Sequence, residues 1–182
     1  MTSVDPEKIL ETSRLFLEPL APFHAAKLYP FLGAAQLYAF IPDEPPVSVE
    51  RLQARYATLS ARRSPDGRDL WLNWALRRRN TDVYVGTMQA TVRADRTAML
   101  AYMIFVPSQG QGYASEGAAR VLTHLFDDYH VGVVAAEIDT RNAASIRLVE
   151  TLGFVRVATV VGADVFKGTV SDEYRYERRG NA

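Results

Sequence analysis

Three strand-like runs stand almost end to end in the middle of the chain: LWLNWALRRR (70–79), VYVGTMQATV (83–92) and AMLAYMIFV (98–106). The links between them are short, and one is the turn-prone Asn80-Thr81-Asp82. Short links make hairpins the cheapest pairing of successive strands, so the centre of the fold is expected to be an antiparallel meander. The sequence then changes period. Ala114, Ala118, Val121, Leu122, Leu125, Phe126 and Tyr129 form a 3.6-residue stripe, which predicts a helix over 112–129. VGVVAAEID (131–139) is a strand. Asn142 opens a second helix that Gly153 ends, glycine being suited to the left-handed C-terminal position. FVRVATVV (154–161) and DEYRYER (172–178) close the chain as strands. Ahead of the meander, 10–20 reads as a first strand and 22–33 as a helix. Pro42 to Pro46 is a loop, and a helix over 49–63 is N-capped by Ser48. Residues 1–9 read as a loose start. The expectation is one α/β (α+β) domain over 1–182 with a mixed sheet.

Composition narrows the function. Lys plus Arg and Asp plus Glu number 21 each, so the basic stripe of a nucleic-acid binder is not expected. There is no cysteine, which excludes a thiol nucleophile, a disulfide framework and a cysteine zinc site. His24, His124 and His130 lack ligand spacing, and no metal is expected. No run approaches the roughly 18 apolar residues of a membrane span, so a soluble cytoplasmic protein is the expectation.

The segment PSQGQGYASEG (107–117) joins the last meander strand to the first long helix. A helix N-terminus offers about four unpaired amides and a partial positive charge. Glycines let an anion approach that backbone. A phosphate cradle is one reading and a simple turn the other. No lysine follows the second glycine, so the phosphate-loop lysine signature is absent. A dinucleotide fold would need a third glycine where Ser115 stands, and more chain than remains after Asp139.

The run Gln109-Gly110-Gln111-Gly112-Tyr113-Ala114 fits the Gln/Arg-x-x-Gly-x-Gly/Ala signature of the GNAT family of N-acetyltransferases. Asn142-Ala143-Ala144-Ser145 followed by Leu152-Gly153-Phe154 resembles that family's second recurrent block. The likeness extends from LETSRLFLEPL to YRYER, and its nearest flavour is the branch that includes ribosomal-protein N-terminal acetyltransferases. It implies a mostly antiparallel sheet of six to seven strands, splayed at two parallel strands (98–106 and 133–139) and flanked by about four helices. It also implies acetyl-CoA in that splay as co-substrate, with an amine acceptor and no membrane or nucleic-acid partner. The chain would act as a monomer or homodimer.

The resemblance also implies roles for particular residues. Backbone amides of Gln111 to Ala114 hold the pyrophosphate, Gly110 and Gly112 give it close access, Gln109 and Tyr113 belong to the same cofactor-binding set, and Ser115 adds a hydroxyl or caps the helix. Backbone at Ile104, Phe105 and Val106 pairs with the pantetheine arm. One amide there, with Phe105 as candidate, meets the thioester oxygen as it becomes an oxyanion. Asn142 bonds the arm, caps its helix, or both.

Many relatives carry a tyrosine seven residues after that asparagine, as acid for the departing thiolate. Here Val149 stands in its place. Ser145, one helical turn earlier, is the candidate partner of the CoA sulfur. Asp164, in the loop GADVFKGTVSDE, is the candidate base, with Asp172 and Glu173 as alternatives. Tyr38 and Phe40 precede the proline loop, where the family's acceptor cleft lies. Arg77, Arg78 and Arg79 read as a solvated hairpin tip, and Trp71, Trp74 and Tyr84 as core. Two functions stay open: an N-acetyltransferase acting on a peptide α-amine or small amine, and an acyl-CoA-binding module that has lost catalysis.

Overall fold

The computed structural model describes residues 4–180. The first expected strand breaks in two, β1 (Leu10–Glu11) and β2 (Leu15–Pro19). The Thr12 hydroxyl accepts the Leu15 amide at 2.9 Å, giving the backbone a local turn in place of a continuous ladder. The meander follows as β3 (Leu70–Arg78), β4 (Tyr84–Val92) and β5 (Thr97–Ile104). Then come β6 (Val133–Asp139), β7 (Val155–Phe166) and β8 (Thr169–Arg179). The split first strand makes one eight-stranded sheet, in the order β1-β2-β3-β4-β5-β6-β8-β7.

Every neighbouring pair is antiparallel except β5 with β6. That parallel pairing lasts only from Thr97↔Val133 to Met99↔Ala135. Beyond it β5 stays on β4 as far as Gly86↔Ile104, and β6 stays on β8 as far as Asp139↔Glu173. The two strands therefore part, and a cleft opens between their C-terminal halves.

The helices are α1 (His24–Leu28), α2 (Val49–Leu59), α3 (Tyr113–Thr123) and α4 (Ala143–Thr151). Three are shorter than the apolar stripes predict. α1 gives way to a 3₁₀ turn at Tyr29–Phe31, where Pro30 lacks the amide a longer helix needs. α2 stops before Arg62, whose φ is 58°. α3 passes into a π-helical turn, His124–Asp128, before His130 at φ 52°. Ser48 caps α2 as expected, accepting the Arg51 amide at 3.3 Å.

Two cores lie on the two faces of the sheet. Trp74, Met88, Leu122 and Val149 belong to one, with α3 and α4 over it. Leu28, Leu52, Tyr56 and Phe105 belong to the other, under α1 and α2. Each fully buried side chain of this kind contributes about 1.5–3 kcal/mol.

Two expectations are corrected here. Residues 162–171, read as a loop between two strands, are mostly strand: β7 and β8 form one long hairpin that turns at Lys167 and Gly168. Those residues have φ of 51° and 72°, the positive pair that a two-residue hairpin turn requires. Residues 1–9 were expected to be loose. Residues 1–3 lie outside the described residues, but Glu7 pairs with the Arg62 guanidinium at 2.7 Å and Lys8 with Asp128 at 3.6 Å.

Candidate active site

The cleft between β5 and β6 is bounded on one side by the glycine loop. After Ile104 a 3₁₀ turn at Val106–Ser108, which holds Pro107, leads into Gly110 (φ 72°) and Gly112 (φ 81°). Gly112 is the N-cap of α3, and no side chain caps that end. The first amides of α3 are thus left for an anion, in the field of the helix dipole. A Cβ added at Gly110 would meet nothing within 4 Å, so its backbone angle, and not crowding, selects glycine there.

Arg14 clamps this loop from the β1–β2 turn. Its Nε donates to Glu116 at 2.6 Å and its Nη1 to the Gln111 carbonyl at 2.9 Å, while its guanidinium lies 4.7 Å from the Tyr113 ring centre. Arg14 and Glu116 are 102 residues apart, so no local pattern could have announced the pair. Gln109 and Gln111 also serve the loop, donating to the carbonyls of Ile104 and Pro107, each at 3.0 Å.

α4 forms the opposite wall. Asn142 accepts the Ser145 amide at 3.1 Å, the capping role expected of it. The cleft encloses about 540 Å³ and brings together Ile104, Gln109, Gly110, Gly112, Tyr113, Ala114, Ser115, Asn142 and Ser145. Phe40 lines it as well. Val149 is fully buried, so the place of the usual tyrosine belongs to the core.

Phe105 does not fit the role assigned to it. Its amide already donates to the Val85 carbonyl at 2.8 Å, and its ring is fully buried, stacked on Phe31. Antiparallel alternation turns the Ile104 amide the other way, into the gap facing β6. Ile104 thus replaces Phe105 as the candidate oxyanion donor. Val106 lies in the 3₁₀ turn and outside the cleft lining, so it cannot extend the strand along the arm.

A second cavity, of about 590 Å³, lies beneath α2 and the proline loop. Asn73, Thr87 and Gln89 give it polar side chains from the sheet, Leu52, Tyr56 and Leu59 supply apolar wall, and Asp43, Glu44, Arg51 and Arg55 stand around it. Tyr38 lines this cavity and not the cleft, and its hydroxyl is spent on the Leu32 carbonyl at 2.9 Å. The two cavities share three lining residues: Ile41, Tyr102 and Met103. The segment carrying Ile41 is tied down from the β7–β8 turn. Lys167 Nζ donates to the carbonyl of Tyr38, and to those of Ile41 and Asp43 at 3.3 Å each.

Tyr102 was not anticipated from the sequence. Its hydroxyl is buried without a hydrogen-bond partner, and burial raises its pKa although Ser145 lies close enough to oppose the shift. The only sequence signal was an aromatic residue in a strand, which reads first as core. Asn73, Thr87 and Gln89 were missed for a related reason: one polar residue per strand says nothing until strands are paired.

Asp164 lines neither cavity and accepts the amide of its own neighbour, Val165, at 2.7 Å. Asp172 is held by the Gly162 amide at 2.7 Å. Glu173 has a raised pKa, from burial first and then from the charges of Glu137, Asp164 and Asp139, but it too lines neither cavity.

Arg77 is not part of a solvated tip. It donates to Glu18 at 2.6 Å, and Glu18 also accepts the Tyr84 hydroxyl at 2.7 Å. His24 takes the Ala21 amide on Nδ1, which leaves the Nε2 proton for Glu18 at 3.2 Å. Burial raises the Glu18 pKa, yet these three bonds outweigh it and leave it lowered. The cluster sits in the structural layer under α1. Among the described residues no group of three or more His, Cys, Asp or Glu could hold a metal, and no helix is long and apolar enough to cross a membrane.

A mostly antiparallel sheet opened at one parallel pair, with an uncapped helix N-terminus at the opening, is the architecture of acyl-CoA-dependent acetyltransferases. Residues 14–155 match the family described as the Acetyltransferase (GNAT) domain. The chain therefore belongs to that family of acyl-CoA-dependent N-acyltransferases. It is similar to the uncharacterized N-acetyltransferase YoaA of Bacillus subtilis, 26% identical over 148 residues that cover 80% of this chain and 82% of that one. The fold is shared with RimL, a ribosomal L7/L12 alpha-N-protein acetyltransferase solved with coenzyme A. There the TM-score is 0.84 at 17% identity, covering 95% of this chain and 98% of the other. It is shared also with spermidine N-acetyltransferase from Vibrio cholerae, solved with CoA and spermine. That TM-score is 0.79 at 18% identity, covering 92% of this chain and 96% of the other.

Proposed function

We propose that the chain acts as one catalytic domain that moves an acetyl group from acetyl-CoA directly to a primary amine, with both substrates bound together. The single observation that carries this reading is the meeting of two cavities at Ile41, Tyr102 and Met103. The cleft between β5 and β6 would take acetyl-CoA, its pyrophosphate on the first amides of α3 and its pantetheine arm between Ile104 and Asn142. Arg147, exposed on α4 at the same cleft, would add positive charge for the phosphates. The cavity beneath α2 would take the amine.

The chemistry asks little more of the protein. An alkylammonium with a pKa of about 10.4 must first lose a proton. The lone pair then attacks the thioester carbon, and the oxygen gathers charge at the Ile104 amide. A preorganised donor of this kind is worth about 3 kcal/mol. With no cysteine in the chain, direct attack needs no enzyme thiol. The acceptor cavity falls within the roughly 300–1,000 Å³ typical of ligand pockets. Its polar sheet residues beside apolar wall suit the end of a peptide, whose amides need partners, or a compact amine.

Thiol release from acetyl-CoA across an amine panel tests this reading, the panel holding peptides with varied first residues, polyamines and aminoglycosides. Amine-dependent release is expected, with acetyl-CoA raising the melting temperature and NAD and ATP leaving it unchanged. A protein that no acyl-CoA stabilises would refute it.

A further inference from the structure

We propose that Arg14 is a positioning residue for acetyl-CoA: it fixes the Gln111–Gly112 peptide so that the Gly112 amide points at the diphosphate, and it cancels the charge of Glu116 at the same helix end. This rests on the acetyl-CoA reading of the β5–β6 cleft. Arg14 does not line that cleft, whereas Gly112, Tyr113 and Ala114 do, so it acts from behind the loop. Its Nη1 donates to the Gln111 carbonyl at 2.9 Å. In a trans peptide the carbonyl oxygen and the following N–H point to opposite sides. Holding that oxygen from outside the cleft turns the Gly112 N–H toward its interior. Among the described residues no acceptor takes this amide. Glycine accepts either sign of φ, so residue 112 does not itself forbid a flip of the peptide. A flipped peptide would present its oxygen to the diphosphate, and the Arg14 bond opposes that.

The second task is electrostatic. Glu116 stands in the first turn of α3. Burial raises its pKa, but bonds from Thr12 and Arg14 outweigh burial and leave it lowered, so it is ionised at neutral pH. An uncompensated acid there would repel a diphosphate on the first amides of the same helix. Arg14 Nε meets it at 2.6 Å. Arg147 is the one charged side chain among the described residues that line the cleft, so this cancellation matters to an anionic ligand.

The fold does not depend on the Arg14 side chain, which is 47% exposed. Glu116 also accepts the Thr12 hydroxyl at 2.5 Å, the Ser13 hydroxyl at 3.1 Å and the Arg14 backbone amide at 2.8 Å. These three bonds survive truncation of the side chain and keep the β1–β2 turn fastened to α3.

The test measures CoA affinity by calorimetry in wild type, Arg14→Met, Arg14→Lys, Glu116→Gln and the double variant Arg14→Met/Glu116→Gln. Alongside it, thiol release is followed from acetyl-CoA and from S-acetylpantetheine, which lacks the diphosphate. Arg14→Met should weaken CoA binding about 30-fold. Arg14→Lys keeps the charge but lacks the fork that reaches both oxygens, and the double variant removes the repulsion but not the misorientation. Each should therefore stay about tenfold weak, the equivalent of one charge-assisted hydrogen bond. Glu116→Gln alone should bind CoA as tightly as wild type or more so. The kcat/KM for S-acetylpantetheine should stay within about twofold in every variant, whereas a merely structural role would lower both donors alike. Wild-type CoA affinity in Arg14→Met, or an equal loss with S-acetylpantetheine, would overturn the inference while leaving acetyl transfer intact. Failure of the wild type to bind CoA would overturn both.

Discussion

At Gly112 the backbone holds φ at 81°, and a Cβ there would come within 3.3 Å of Arg14 Nη2. Gly112→Ala therefore adds left-handed strain of about 1–2 kcal/mol and pushes on the clamp that holds the loop. Acetyl-CoA affinity, read by calorimetry, is expected to fall about tenfold. Asp139 fixes the other side of the cleft. It is 5% exposed, accepts the Arg141 amide at 2.8 Å and the Ser171 hydroxyl at 2.7 Å, and pairs with the Arg141 guanidinium. The Arg141 guanidinium, against the opposing effect of burial, holds its pKa at about 2, with help from Ser171. A depressed carboxylate stabilises the fold fully above its unfolded pKa of about 3.9, and that stabilisation is lost as pH falls toward the folded value. Urea midpoints should thus drop between about pH 4 and 2 in wild type and stay flatter in Asp139→Asn. The glycines were legible in sequence because a positive φ is a local demand. The Arg14–Glu116 clamp was not, because only the fold brings its partners together.

Among the elements, α4 and the β7–β8 hairpin give the clearest tests. Asn142 accepts the Ser145 amide, and in the proposed function it also faces the pantetheine arm. Asn142→Ala should cost about 1 kcal/mol of stability as a lost cap. Asn142→Asp keeps the capping oxygen but removes the amide donors. Weak acetyl-CoA binding with restored stability in that variant would assign Asn142 both roles; full recovery of both would leave it a cap alone. Lys167 bonds three carbonyls of the segment that carries Ile41. Lys167→Ala should raise KM for the amine by about tenfold, the equivalent of one charge-assisted hydrogen bond, with little change in KM for acetyl-CoA. The hairpin could not be read from the sequence, because Gly162 and Asp164 looked like loop residues. Gly162 has φ of 62° beside a β-bulge, so the strand kinks there and continues. Gly86 carries a similar lesson: a Cβ there would lie 2.3 Å from the Met103 carbonyl, so this strand glycine lets β4 approach the end of β5 at the site.

At the scale of the whole molecule, the meander, the two long helices α3 and α4 and the strand between them followed from period and link length. The cofactor cleft was legible through the family resemblance, whose motifs are local and lie on consecutive elements. The cavity beneath α2 was not, because Asn73, Thr87, Gln89 and Met103 come from three strands and face one space only after pairing. The central claim is that two substrates occupy two adjoining cavities at once and react without an acyl-enzyme. Initial rates of thiol release, with acetyl-CoA and amine varied against each other, test it most directly. Intersecting double-reciprocal lines are predicted for a ternary complex; parallel lines, the pattern of a covalent relay, would contradict it.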